Sequence, residues 1–171
     1  MSGAAITPTD VWPWFLSAVD VGRRLTMTLV SKTGTRFTYR LTPWARPRGD
    51  QGRGDLYRVE VLTGPEHYDL VGGIYRGTPE APFSLLLGAR ASLTDERANS
   101  RGRDVEPISA DAPSSAAFKW ALTKLMRGAV LAPECEVWHD GTCARCGRTL
   151  TTPESVAAGL GPICANRVGE P

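Results

Sequence analysis

Apolar and polar positions alternate with a period of two over several short runs of the chain. In the run 25–31, Leu25, Met27 and Leu29 share one face, and in the run 35–41, Phe37, Tyr39 and Leu41 do the same. Such alternation marks a strand with one buried face. Lys32-Thr33-Gly34 lies between the runs and has turn composition, so the pair predicts a β-hairpin. Arg36, Thr38 and Arg40 then fall on its outward face. The run 56–62 sets Tyr57, Val59 and Val61 against Arg58 and Glu60 and predicts a third strand. After a Thr63-Gly64-Pro65-Glu66 turn, residues 68–75 predict a fourth, in which Gly72-Gly73 marks a bulge or a close backbone approach. Residues 83–87 add a short fifth.

The period changes over 116–127. Phe118, Ala121, Leu122, Leu125 and Met126 recur at helical spacing and form one apolar stripe. Ser114 or Ser115 is the expected cap, Gly128 the stop, and Lys124 and Arg127 suit the negative end of the helix dipole. Laid across one face of the antiparallel sheet, this helix gives a simple α+β core. Residues 10–21 hold Val11, Trp12, Trp14, Phe15, Leu16 and Val19 and form a short apolar helix or an irregular packing segment, assigned to core. Residues 1–9 have the composition of a loose terminus.

The expected architecture is therefore a small antiparallel sheet packed by one amphipathic helix, followed by a C-terminal module of zinc-ribbon or knuckle type. The divisions are 1–98 for the β domain with its N-terminal apolar segment, 99–114 for a linker or long loop, 115–130 for the helix and 131–171 for the module. The chain has 171 residues, 42% of them hydrophobic, which suffices for one ordinary domain with a small appendage. A net charge of +2 is mildly basic and far from the excess of a dedicated nucleic-acid binder. The basic residues are unevenly placed, with Arg46, Arg48 and Arg53 beside Trp44 in a Pro/Gly-rich loop over 42–55, interleaved with Asp50 and Asp55. No apolar run is long enough to span a membrane, and no secretory leader pattern opens the chain, so a reducing cytoplasm is the expected compartment.

All four cysteines, and one of the two histidines, lie between residues 135 and 164. Cys143 and Cys146 form a C-x-x-C pair followed by Gly147, a spacing that lets two thiolates converge on one metal from a tight turn. Cys164 lies downstream, and His139 and Cys135 lie upstream. Zinc takes about four such ligands. His139, Cys143, Cys146 and Cys164 are the chosen set, with Cys135 as the alternative ligand; if 135–139 is a strand, Cys135 and His139 share a face. The formal site charge of about −1 or −2 could be offset by Arg145 and Arg148. A redox C-x-x-C would open a helix after a strand, whereas here Gly-Arg-Thr-Leu-Thr-Thr-Pro follows. Thr152-Pro153-Glu154-Ser155 has the signature of a helix start, Gly159 of its end, and Gly161-Pro162 opens a second short helix carrying Cys164. One structural zinc ion is the cofactor expected. A closed ligand set, with no H-E-x-x-H and no deaminase-type pattern, argues against a catalytic metal.

The run His-x3-Cys-x2-Cys-Gly-Arg-x-Leu-Thr, then Pro-Glu-Ser and Gly-x-Gly-Pro-x-Cys, is carried by His139, Cys143, Cys146, Gly147, Arg148, Leu150, Thr151, Pro153, Glu154, Ser155, Gly159, Gly161, Pro162 and Cys164. It resembles a small zinc-finger-like domain of unknown function (family 6011 of such domains) that recurs in proteins of actinobacterial phages and their hosts. The Leu-Thr-Gly-Pro and Phe-Lys-Trp runs are more loosely similar to the N-terminal region of some of those proteins. The resemblance implies metal binding and, for a phage-encoded chain, the host cytoplasm. It implies no reaction.

Three classes of function compete. Nucleic-acid association would use Arg36, Arg40, Arg46, Arg48, Arg53 and Arg58 on the sheet and its loop, Arg145, Arg148 and Arg167 around the module, and Trp44 or Trp138 to stack on bases. DNA or RNA is then the partner. A protein-interaction adaptor is the alternative, with the zinc module as a rigid platform and Trp138 as a candidate anchor. For an enzyme the chain offers no nucleophile–base pair, no P-loop and no paired carboxylates; His67 stands apart from any such group. A non-enzymatic protein without small-molecule substrate is the expectation, with nucleic-acid association favoured.

Overall fold

The alternating runs pair side by side in one antiparallel sheet. The computed structural model describes residues 3–43, 56–78, 80–88 and 107–168. Its strands are β1 (Ala4–Ala5), β2 (Leu25–Ser31), β3 (Arg36–Pro43), β4 (Leu56–Gly64), β5 (His67–Thr78), β6 (Ala81–Leu87) and β7 (Cys135–His139). The helices are α1 (Val11–Asp20), α2 (Pro113–Met126), α3 (Pro153–Ala158) and α4 (Pro162–Ala165). The sheet has 7 strands in the order β1-β7-β2-β3-β4-β5-β6. Strands β2 to β6 form a meander, and β7 returns after α2 to pair with β2 on its free side.

One face of the sheet carries the core. Leu25, Met27, Leu29, Tyr39, Leu41, Tyr57, Val59, Val61 and Val137 are buried there, as the alternation predicts. Both long helices cover this face: α1 buries Val11, Trp14, Phe15, Ala18 and Val19, and α2 buries Phe118, Ala121, Leu122 and Leu125. The expected stripe of α2 is thus the buried one, but α1 packs the sheet as well. Two sheet phenols pin the helices. Tyr39 donates to the Ser114 carbonyl at 2.6 Å and Tyr57 to the Val19 carbonyl at 3.1 Å. Burial pushes the Tyr57 hydroxyl up to about 12, so it stays a proton donor.

Three features depart from the sequence-based expectation, and one, Gly72, meets it. The N-terminus is not loose: Ala4 and Ala5 pair with β7, and the Ile6 N–H donates to the Val137 carbonyl at 2.8 Å. A two-residue alanine strand has no alternation to read. Helix α2 starts at Pro113, a residue pre-set for the first helical position, with Ala112 as a cap that makes no side-chain bond. Gly72 answers to both suggestions made for it: the register shifts between Val59 and Glu60 opposite it, and an added Cβ would strike the Leu86 carbonyl of the neighbouring strand. Lastly, Cys135–His139, expected inside the C-terminal module, is an inner strand of the sheet. The loop arginines Arg46, Arg48 and Arg53, Trp44, and residues 99–106 of the expected linker lie outside the described residues.

Candidate metal centre

The chain leaves β7 at His139 and reverses at once. The Thr142 N–H and hydroxyl both donate to Asp140 Oδ1, at 3.0 and 2.7 Å, and Gly141 takes a positive φ of 87°. This is an Asx-type turn, in which a short carboxylate stands in for a backbone acceptor. Thr142 then bridges Thr149, and the Cys143 N–H donates to the Arg148 carbonyl at 2.8 Å. Between them the Gly147 N–H closes on the Cys143 carbonyl at 2.8 Å. Gly147 sits at φ 77°, a conformation that glycine adopts without steric cost. The C-x-x-C-Gly run therefore forms a tight knuckle.

Downstream, α3 begins and ends as expected. Thr152 accepts the Ser155 N–H at 3.3 Å, Pro153 is the first helical residue, and Gly159 stops the helix at φ 67°. The next turn delivers two groups to the knuckle. Gly161 donates its N–H to Cys143 Sγ at 3.4 Å, and Pro162 opens α4, which carries Cys164. The sulfurs of Cys143, Cys146 and Cys164 lie within 4.8 Å of one another. A tetrahedral zinc–thiolate site, with Zn–S of about 2.3 Å, needs sulfurs about 3.8 Å apart, so the donor set fits a metal with small adjustment.

The electrostatics agree. Burial pushes the Cys143 thiol up, but backbone N–H groups of Gly161, Cys146 and Arg145 outweigh it and hold the thiol at about 7. Cys164 goes the other way, to about 11, through burial and then through the neighbouring Cys146 and Cys143 sulfurs. One thiolate is prepared by hydrogen bonds, and another is opposed by its neighbours. A cation at the centre of the three removes that opposition.

His139 is not part of the cluster. It points to the core face of β7, is 3% exposed, and both ring nitrogens are engaged. Nε2 donates to the Val156 carbonyl at 2.8 Å, and Nδ1 accepts the Gly141 N–H at 3.0 Å. The Asp140-Gly141 reversal carries the chain past the ring, so four-residue spacing from Cys143 does not become coordination. Cys135 does share a face with His139, but it pairs with Ser31 at the far end of the strand, about 13 Å away by strand rise. Its buried thiol donates to the Glu136 carbonyl at 3.3 Å. Among the described residues no further His, Cys, Asp or Glu atom joins the three sulfurs, so the closed four-ligand set expected from the sequence is not formed and one tetrahedral position has no protein ligand there.

Two contacts that sequence reasoning did not foresee, one from the expected core residue Trp14 and one from Arg23, fix the knuckle to the core. Trp14 of α1, 1% exposed, lies against Gly159. Arg23 lies against Gly147: a Cβ there would collide with the guanidinium. This cation beside the knuckle is well placed to offset thiolate charge. Arg145, given that role in the sequence, instead donates to the Arg167 carbonyl at 3.0 Å, and Arg148 is exposed. Nothing local in the sequence announces either contact, since both partners precede the module by more than a hundred positions.

Arg36, Arg40 and Arg58 sit on the outer face of the sheet, away from α1 and α2. There Thr28 pairs with Trp138 on one side and Thr38 on the other, and the two hydroxyls bond at 2.8 Å. The Arg36 guanidinium stands over the Trp138 ring at 5.4 Å from its centroid. Arg40 covers the Tyr68 ring at 3.9 Å. Glu60 is shared by Arg40 and Arg58, at 2.9 and 3.0 Å.

Fold and cluster together define a mixed α+β protein whose C-terminal residues form a three-cysteine site able to hold a metal ion. Residues 139–169, which contain the whole cluster, match a family of unknown function (DUF6011). No curated protein and no solved structure matches the chain. Among the described residues no helix is long and apolar enough to cross a membrane.

Proposed function

We propose that Cys143, Cys146 and Cys164 hold one structural zinc ion, and that the protein it stabilises is a non-enzymatic, nucleic-acid-associated protein of the phage type that its C-terminal motif resembles. Zinc suits three converging thiolates with no redox demand. Its chemistry here is to cross-link knuckle and α4, which are too small to hold themselves together by burial alone. The observation that carries the nucleic-acid reading is the outer sheet face, where two arginine–aromatic pairs, Arg36 with Trp138 and Arg40 with Tyr68, flank a threonine pair. Cations that meet phosphates, and rings and guanidinium planes that stack on bases, are the two components of single-strand recognition.

Fluorescence anisotropy of labelled single-stranded DNA, duplex DNA and RNA tests this. Binding that falls steeply as salt rises is expected; no binding to any of the three at low salt refutes it. A protein-interaction role is the second reading. It is favoured by Ile163, which stands 67% exposed beside Cys164, and a pull-down from host lysate with an Ile163→Asp control addresses it.

A further inference from the structure

The outer face of the sheet is not uniform. Beside Trp138 lies a hollow of ≈ 340 Å³ lined by Thr26, Thr28, Arg36, Thr38, Trp138 and Asp140, within the size range of small-ligand sites. Its wall is the half-buried Trp138 ring. Its floor is a set of threonine hydroxyls, each able to donate or accept. Gly3 forms part of the rim with bare backbone, because an added Cβ would lie 2.7 Å from the His139 carbonyl oxygen.

We infer that this hollow is a stacking site for one unpaired base of a single-stranded nucleic acid, with Arg36 as the contact to its phosphate; the inference rests on the nucleic-acid reading above. Of the nearby carboxylates, Glu60 is neutralised by Arg40 and Arg58; Glu136 and Asp140 accept from neutral donors, the Trp138 indole N–H at 2.9 Å and Thr142, and keep their charge, so the hollow attracts a phosphate only through Arg36. Arg36 is exposed and among the described residues pairs with no carboxylate, being held only over the ring. The indole N–H is fixed by Glu136, so the ring is oriented before any ligand arrives, which lowers the ordering cost of binding. Hydroxyl floor groups with no fixed polarity tolerate any base edge, so the site selects single strands over duplex without selecting sequence. A duplex keeps its bases stacked and unavailable to Trp138.

The full-length zinc-loaded chain is titrated with labelled oligothymidylate, with an abasic strand of the same length, and with duplex of the same length, for the wild type and for Trp138→Ala, Trp138→Phe and Arg36→Gln. Oligothymidylate should bind more tightly than duplex. Trp138→Ala should weaken it by about five- to hundred-and-fifty-fold, while Trp138→Phe keeps most of the affinity and serves as the folding control. On the abasic strand, wild type and Trp138→Ala should bind alike. Arg36→Gln should reduce the magnitude of the salt slope by about 0.7, the contribution of one phosphate contact on a single strand. If the protein binds nucleic acid but Trp138→Ala binds oligothymidylate as the wild type does, or if duplex is preferred, the stacking site is wrong and the broader reading stands. If nothing binds any strand at low salt, both are wrong.

Discussion

Replacing Gly159 by alanine isolates the contact that joins the cysteine module to the core. Gly159 ends α3 with φ 67°, a left-handed conformation that costs an L-residue about 1–2 kcal/mol. The new methyl would also meet the indole of Trp14, with the Nε1 atom 2.7 Å and the Cγ atom 3.2 Å from the added Cβ. Trp14 is 1% exposed in the middle of the hydrophobic core and cannot swing aside. Overpacking of this kind costs roughly 1–3 kcal/mol, so the total is about 2–5 kcal/mol. Gly128 provides the internal standard. It has φ 74° and nothing within 4 Å of an added Cβ. Gly128→Ala therefore costs only the conformational part, about 1–2 kcal/mol. Urea unfolding of both zinc-loaded variants, followed by tryptophan fluorescence, reads the difference directly. If Gly159→Ala is no more destabilised than Gly128→Ala, Trp14 does not press on the helix end, and the module is attached to the core less firmly than described.

The metal chemistry gives two more tests. Metal analysis of protein purified without chelator should find one zinc per chain, and Cys146→Ser or Cys164→Ser should lose both the metal and the fold of 140–168, since zinc binding contributes on the order of 10 kcal/mol to such modules; a folded, metal-free protein would rule the site out. His139→Ala should keep zinc but lose about 1–3 kcal/mol, the cost of leaving the Val156 carbonyl and Gly141 N–H without their buried partner, while Cys135→Ser keeps both zinc and fold. Loss of zinc from the histidine variant would return His139 to the ligand set.

Local pattern made most of the fold legible. The strands of the meander and the stripe of α2 follow from periods of two and of 3.6, because each element buries one side against the same core. The same holds for α3, whose Thr152 cap and Gly159 stop obey rules that act within a few residues. What the sequence hid is what depends on distant pairing. Cys135–His139 alternates only weakly in composition, and its place between β1 and β2 is set by Leu29, Met27 and Ala4. That placement then decides the site. Pairing with Met27 turns His139 inward, to serve as a link to α3, so a residue with ligand spacing becomes a structural one. The contacts of Arg23 and of the core residue Trp14 with the knuckle escaped notice for the same reason: both reach it through tertiary packing and not along the chain.

The alternation of β7 connects the metal centre to the outer face. Trp138 and His139 are consecutive, so their side chains leave the strand on opposite sides. Among the described residues, the hydrogen-bond partners of the His139 ring are groups of the cysteine module, the Val156 carbonyl and the Gly141 N–H. The short strand beyond Trp138 leans on the module in part: β1 pairs Ala5 with Trp138 and Ala4 with His139 within the sheet, and just after it the Thr7 N–H donates to the Ala157 carbonyl of α3 at 2.8 Å. On the zinc reading proposed above, removing the metal should unfold α3 and its turn, leave the His139 ring buried without those partners, and release the Thr7 tether of β1. The end of β7 then frays, and Trp138 becomes an edge residue with no fixed ring plane. Each 1.4 kcal/mol by which the ordered strand end is disfavoured lowers the binding-competent fraction, and hence the affinity for a single strand, by about tenfold. Chelation should therefore weaken oligothymidylate binding although no metal ligand touches the outer face, and zinc should restore it. Undiminished binding by zinc-free protein whose module is unfolded by circular dichroism would show that the face is held by β2 and β3 alone.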